Sequence, residues 1–315
     1  MPPTLRGRLA PSPTGAQHVG NARTYLIAWL AARSKGAGVI LRMEDIDSPR
    51  IKPAAAEQAI DDLRWLGLDW DGDPIVQTTR LARYEAVLDR LKRQDLVYPC
   101  ICTRSDIAAA ASAPHAEHEG PNYPGTCAHR SVADAGTLAA MGRPFAWRFR
   151  ANESPPFVDE FCGDVWVDRA QSGGDFVVWK SAGSPAYQLA VVVDDAEMGV
   201  TEVIRGDDLI PSTPRQILLY QSLGWTPPRF AHVPLVVGED GRRLAKRHGD
   251  TRLAALRDAG VKAESLIGLL AWSCGWLEKP EPITPTELIP LYRLEAIPHR
   301  PCMLTPALLR GIGYS

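Results

Sequence analysis

The sequence predicts an α/β protein built on a doubly wound parallel sheet, and three observations carry that expectation. Short apolar runs alternate with helix-period runs through the first hundred residues. Acidic residues follow directly on one of those apolar runs. The alternation then breaks and resumes, as expected of a sheet interrupted by an inserted segment.

Residues 5–10 read as a short strand, and Tyr25, Leu26, Trp29 and Leu30 recur at helical spacing until Ser34-Lys35-Gly36 stops the run. The loop between them holds Gly15, His18 and Gly20 at a strand-to-helix junction, a place where phosphates often bind. Residues 38–43 read as a buried strand leading into Glu44-Asp45-Ile46-Asp47, and open parallel sheets bind ligands at such carboxyl ends. Amphipathic helices are expected over 54–66 and 81–94. From 98 to about 177 the pattern breaks into short strand candidates, such as 146–150, among Gly, Pro and Ser, which predicts an insertion with its own small fold. Alternation returns with 187–194 and 200–205, a helix over 213–222 and a strand over 232–237. Helical runs over 253–259 and 263–274 and a Pro-rich end then form a small helical appendage. The expected organisation is therefore a sheet domain in two halves, 1–97 and 178–250, an inserted subdomain over 98–177, and the appendage over 251–315.

At 315 residues and 45% hydrophobic, the chain can bury a large core and more than one domain. Its apolar stretches fall short of the ~20 residues that span a bilayer, and Met-Pro-Pro-Thr lacks the pattern of a signal peptide, so a cytoplasmic protein without a membrane partner is expected. Lys plus Arg number 35 against 37 Asp plus Glu, so any nucleic-acid contact rests on local patches such as the run RRLAKRH at 242–248.

Gly15 and Gly20 have the spacing of a P-loop, but Asn21-Ala22 stands where that motif needs Lys and Ser or Thr. What remains is a helix N-terminus with His18 beside it. A helix dipole contributes roughly 0.3–1 kcal/mol where enzymes lower barriers by ~8–23, so further cations are needed, and the run at 242–248 can supply them. Taken alone, His18 is as readily a structural hydrogen-bonder. Cys100, Cys102 and Cys127 cluster in the irregular region, and in a cytoplasmic chain they point to zinc before a disulfide. Tyr123, His115, His118 and His129 are all candidates for the fourth ligand. Cys162, Cys274 and Cys302 read as small buried hydrophobes. Trp147 and Trp179 could stack unpaired bases, although core packing is the better reading for both.

Four stretches, RLAPSPTGAQHVGNARTYLIAWLAAR, LRMEDIDSPR, YQLAVVVDDAEMGVTEVIRGDDLIPSTPRQILLYQSLGW and RRLAKRHGD, resemble in order the signatures of class I glutamyl-tRNA synthetases across about residues 5–250. The resemblance implies a Rossmann-like catalytic domain that activates glutamate with ATP, Mg2+ accompanying the nucleotide, and passes glutamate to tRNA. His18-Val19-Gly20-Asn21 matches the family's His-Ile-Gly-His with Asn21 for the last histidine, and Arg243-Leu244-Ala245-Lys246-Arg247 matches Lys-Met-Ser-Lys-Ser with Lys246 retained. It implies catalytic roles for His18 and Lys246, with Gly20, Asn21 and Arg243 also on ATP. It implies an amino-acid pocket of Arg8, Ser12, Glu44, Tyr187 and Arg205, with Glu44 facing the α-ammonium. It further implies one structural zinc on Cys100, Cys102, Tyr123 and Cys127. Val191 departs from the family, which usually has asparagine before Val-Val-Asp-Asp.

Only 65 residues follow position 250, too few for the family's anticodon-binding region. The resemblance therefore implies a truncated, monomeric paralogue that activates glutamate without tRNA and attaches it to queuosine in the anticodon loop of tRNA(Asp). Charging of a tRNA 3′ end with a separate anticodon-binding subunit, and a non-catalytic glutamate- or tRNA-binding regulator, are the alternatives.

Overall fold

The computed structural model describes residues 5–13, 15–46, 53–110, 122–169, 171–242, 244 and 250–314. The chain opens with β1 (Arg6–Leu9), α1 (Val19–Arg33) and β2 (Gly38–Met43), a parallel crossover in which Arg6 faces Gly38 and Leu9 faces Leu41. β2 reads GVILRM and is buried after its first residue, the continuous apolar run of a strand covered on both faces. α1 is buried nearly all round, from Val19 through Leu26 and Leu30 to Ala32, as befits a helix enclosed by other layers. After α2 (Pro53–Trp65), β3 (Ile75–Val76) pairs parallel with β2. α3 (Leu81–Arg93) is amphipathic, and Tyr84, Val87, Leu88 and Leu91 form its buried stripe at helical spacing.

Residues 97–179 form β4 (Val97–Cys100), α4 (Arg104–Ala110), α5 (Asp134–Ala140), β5 (Ala146–Phe149), β6 (Phe157–Asp159), β7 (Gly163–Val165) and β8 (Phe176–Trp179). β4, β5 and β8 make a separate antiparallel sheet. The β6–β7 hairpin instead joins the main sheet, because Asp159 pairs with Phe230. Trp147 is buried in the core of this region and Trp179 is half-buried, so packing accounts for both.

The second half comprises α6 (Tyr187–Glu197), β9 (Glu202–Gly206), α7 (Thr213–Ser222) and β10 (Arg229–Val233), with β10 parallel to both β9 and β6. It meets the first half at β1: the Thr201 amide donates to Arg6 O at 2.9 Å, and Arg8 Nη1 donates to Ile204 O at 3.2 Å. The strand expected over 232–237 is two strands. β10 stops at Val233 and β11 (Val236–Val237) starts after Pro234-Leu235, because Pro234 has no N–H for a ladder and its carbonyl is taken by Arg23 Nη1 at 2.7 Å.

α8 (Leu253–Asp258) and α9 (Ala263–Ser273) share one core with α1, and β12 (Cys302–Met303) pairs parallel with β11. Contact here is close: a Cβ added at Gly268 would lie 1.9 Å from Glu281 O. The three separated cysteines do not share one environment. Cys274 is buried, Cys302 is half-buried, and Cys162 is exposed, because it sits in the β6–β7 turn rather than in a packed layer. Among the described residues, no helix is long and apolar enough to cross a membrane.

Candidate active site

A cleft of about 540 Å³ opens where the carboxyl ends of β1, β2 and β9 meet the N-terminus of α1. Arg8, Ser12, Glu44, Tyr187 and Arg205 line it, and so do His18, Gly20 and Asn21. The five residues expected for the amino acid and three of the five expected for ATP are thus brought to one cavity. Arg243 and Lys246 lie outside the described residues.

At the phosphate end, His18 is the N-cap of α1. Its Nδ1 accepts the Gly20 amide at 3.1 Å, while Asn21 Oδ1 accepts the His18 amide at 3.1 Å, so histidine and asparagine close a reciprocal capping box. With Nδ1 accepting, the neutral ring carries its proton on Nε2. Asn21 therefore has a local job that explains it at the position of the family's second histidine. The same turn is clamped to the far side of the basic run: Val19 N donates to Thr251 O at 3.0 Å and Leu253 N to Gln17 O at 2.9 Å.

At the other end, two guanidiniums and a carboxylate face the cavity. Arg8 is 7% exposed and its Nε has no hydrogen-bond partner among the described residues, with Asp195 at 3.8 Å its nearest carboxylate. Glu44 accepts from Arg42 Nη2 at 2.8 Å, yet burial raises its pKa above the ordinary carboxylate value against the pull of Arg42 and Arg8. Such a carboxylate gains by receiving a further cation. Burial lowers the Arg205 pKa and, with Glu44 nearby, raises that of Tyr187.

This end rests on charged residues that sequence reasoning did not single out. Arg42 is fully buried within the apolar β2 and also holds Asp195 at 2.5 Å. Asp194 accepts from Gln77, Arg80 and Tyr84 at 2.7–3.0 Å, which ties α6 and its Tyr187 to α3. Val191 is buried in the core and does not line the cleft. The only advance signal for these groups was the Asp-Asp pair in an otherwise apolar run.

A second polar cluster lies at the end of β4. The sulfurs of Cys100, Cys102 and Cys127 all lie within 4.8 Å of one another, Cys102 and Cys127 at 3.6 Å. Tyr123 Oη is 3.4 Å from Cys100 Sγ and 3.9 Å from Cys102 Sγ, and it accepts the Cys127 amide at 2.8 Å. Arg148 Nε and Arg130 Nη1 donate to Cys100 and Cys127 at 3.3 and 2.9 Å. Burial raises the Cys100 pKa, but hydrogen bonding with Tyr123 and with the Arg148 guanidinium brings it below the usual thiol value. His129 is exposed and stands outside the group; His115 and His118 lie outside the described residues.

The sequence and the fold both match known proteins. Residues 4–289 match the family model of tRNA synthetases class I (E and Q), catalytic domain. The chain is 56% identical over 280 residues to the Glutamyl-Q tRNA(Asp) synthetase of Rhodopirellula baltica, covering 85% of this chain and 84% of the relative. It is 50% identical to that of Symbiobacterium thermophilum, covering 94% and 95%. The Glutamate–tRNA ligase of Geobacter sulfurreducens is 41% identical over 93% of this chain, which spans 62% of that relative. The crystal structure of a glutamate tRNA ligase from Elizabethkingia meningosepticum in complex with its amino acid superposes with a TM-score of 0.82 at 26% identity, covering 98% of this chain and 68% of that one.

Proposed function

Because the chain belongs to the class I tRNA synthetases (E and Q), we propose that it activates L-glutamate with ATP and transfers the glutamyl group to queuosine in the anticodon loop of tRNA(Asp). The observation that carries the amino-acid half is the grouping of Arg8, Arg205 and Glu44 on one cleft. Glutamate brings two carboxylates and an ammonium. The guanidinium forks receive the carboxylates, Glu44 receives the ammonium, and Ser12 and Tyr187 complete the pocket.

In the activation step an α-carboxylate oxygen attacks the α-phosphorus, the bond from that phosphorus to the bridging oxygen breaks, and pyrophosphate leaves. No side-chain nucleophile is needed, so catalysis is positioning and neutralisation of phosphoryl charge. His18 and Gly20 hold the nucleotide at the α1 N-terminus, Asn21 keeps the cap closed, and Arg243 and Lys246 supply cations. Mg2+ accompanying ATP would supply further neutralisation of the phosphate charge. In the second step a hydroxyl oxygen of the acceptor attacks the activated carbonyl and AMP leaves, activation itself proceeding without tRNA.

Cys100, Cys102, Tyr123 and Cys127 fit one structural zinc. Two sulfurs each ~2.3 Å from a tetrahedral ion lie about 3.8 Å apart, close to the 3.6 Å between Cys102 and Cys127. Held by these residues, such an ion would close the part of the 98–177 segment that they share and would take no part in the adenylate chemistry. The protein acts in the cytoplasm as a monomer.

The test is transfer of labelled glutamate to tRNA(Asp) with and without queuosine, the 3′ end chemically blocked. Label on the queuosine-containing tRNA alone is expected. Charging only when the 3′ end is free identifies an ordinary glutamyl-tRNA synthetase, and label on neither leaves a binding protein.

A further inference from the structure

We propose that Asp159 and His232 form a positioning relay for Arg205, the carboxylate fixing the imidazole and the imidazole fixing the guanidinium that receives a substrate carboxylate. The inference rests on the reading of Arg205 as a glutamate contact and adds to it the residues that aim it. Arg205 Nε donates to His232 Nε2 at 2.9 Å, and Nη2 donates to Thr213 Oγ1 at 2.8 Å. A guanidinium can only donate, so Nε2 must present its lone pair and Nδ1 must carry the proton. That Nδ1 lies 2.6 Å from Asp159 Oδ2, to which it donates. Asp159 cannot swing, because its Oδ1 accepts the amides of Phe161, Cys162 and His232 at 2.9–3.1 Å. Two of the three nitrogens of Arg205 are thereby fixed, and Nη1 makes no hydrogen bond among the described residues, leaving it for a ligand.

The intervening histidine has a chemical reason. A carboxylate placed directly on Arg205 would neutralise it and compete with the substrate. A neutral imidazole passes on orientation and leaves the positive charge for the ligand. Burial keeps the ring neutral, its pKa lowered to about 4. Asp159, His232 and Arg205 are each at most 4% exposed, so water does not take over any of these bonds. Asp159 sits on β6, within the 98–177 segment, so that segment reaches the substrate pocket through one buried carboxylate.

Glutamate-dependent ATP–pyrophosphate exchange of the whole protein and of two variants tests the relay. His232→Asn keeps an N–H at the position of Nδ1 but offers Arg205 nothing; the KM for glutamate is expected to rise about tenfold or more, with KM for ATP and kcat within about threefold. His232→Gln places an oxygen near the position of Nε2 and should recover most of that loss. Equal KM for glutamate in all three proteins overturns the relay, and so does a parallel loss of affinity for ATP and glutamate, which a merely structural histidine would give. A measurement that needs no variant is the 15N signal of His232 in the wild-type protein. It should report the Nδ1–H tautomer, and Nε2 should shift as glutamate saturates; the opposite tautomer, or no shift at saturation, overturns the proposal. A wild-type protein that glutamate neither saturates nor drives through exchange removes the glutamate reading and the relay together, an outcome distinct from unchanged KM in an active enzyme.

Discussion

The cleft and the cysteine cluster both gather polar side chains away from water, but they satisfy them differently. In the cleft nearly every charged group has a protein partner: Arg42 holds Glu44, Asp195 holds Arg42, and His232 and Thr213 hold Arg205, while Arg8 Nε and Arg205 Nη1 make no hydrogen bond among the described residues. In the cluster three sulfurs and a phenol crowd together, and although Arg130 and Arg148 donate to two of the sulfurs, among the described residues no cation sits between all four groups. A site for ligands that come and go must be stable when empty, so its charges are compensated in advance. A site for a resident ion need not be, because the ion supplies the compensation and its binding energy becomes folding energy.

The comparison breaks most sharply through the groups that meet substrate. Arg205→Ala and Lys246→Ala are each expected to lower glutamate-dependent exchange by about 10²–10³-fold, far more than they lower the thermal midpoint, since each removes a cation proposed to meet substrate, although Arg205→Ala also takes a buried partner from His232 and Thr213. Normal exchange in Lys246→Ala would remove that residue from the mechanism. Cys127→Ser should do the reverse. Metal analysis is expected to fall from about one zinc per chain towards none and the midpoint to drop by roughly several degrees, while exchange stays within about threefold. Substoichiometric zinc in the wild-type protein ends the metal reading of the cluster.

A smaller effect tests the advance compensation itself. His232 titrates near 4 when folded, depressed first by burial and also by Arg205 and Arg8, with Asp159 acting in the opposite direction; the unfolded value is near 6.5. Between those values the unfolded chain binds the extra proton, so stability is complete above about pH 6.5 and falls as pH falls towards 4, by about 3 kcal/mol from this group. Urea unfolding from pH 7 to 4 should therefore be less steep with pH in His232→Gln than in the wild-type protein. Identical slopes would mean that the ring is not held neutral.

The contrast also explains what the sequence made legible. Arg8, His18 and Glu44 sit in or beside loops that follow strands, within stretches that resemble a known family, so their gathering could be foreseen. The supports could not. Asp159 and His232 are 73 residues apart, and each reads locally as one polar residue in a short strand. Arg42 is hidden inside an apolar run for the same reason: periodicity reports which face is buried, not what a buried charge meets there. Local chemistry also set the departures, since Pro234 divided one expected strand and a tight hairpin turn put Cys162 at the surface.

The smallest expected effect concerns the phosphate end, where stability and function should move in opposite directions. A Cβ at Gly20 would lie 3.1 Å from both Cε1 and Nδ1 of His18, and 3.5 Å from Val236 Cβ, so the imidazole must move by a few tenths of an ångström. Alanine is the better helix former by roughly 0.5–1 kcal/mol, and Gly20 lies in the first turn of α1, so Gly20→Ala should cost little stability or add some. A displacement of 1 Å at a reacting centre can cost about a hundredfold, so a shift of this size should raise KM for ATP by about threefold and leave KM for glutamate unchanged. Melting curves with exchange kinetics at varied ATP separate the cases. A more stable protein with unaltered KM for ATP would show that His18 serves only to cap its helix, and the phosphates would then depend on the basic run alone.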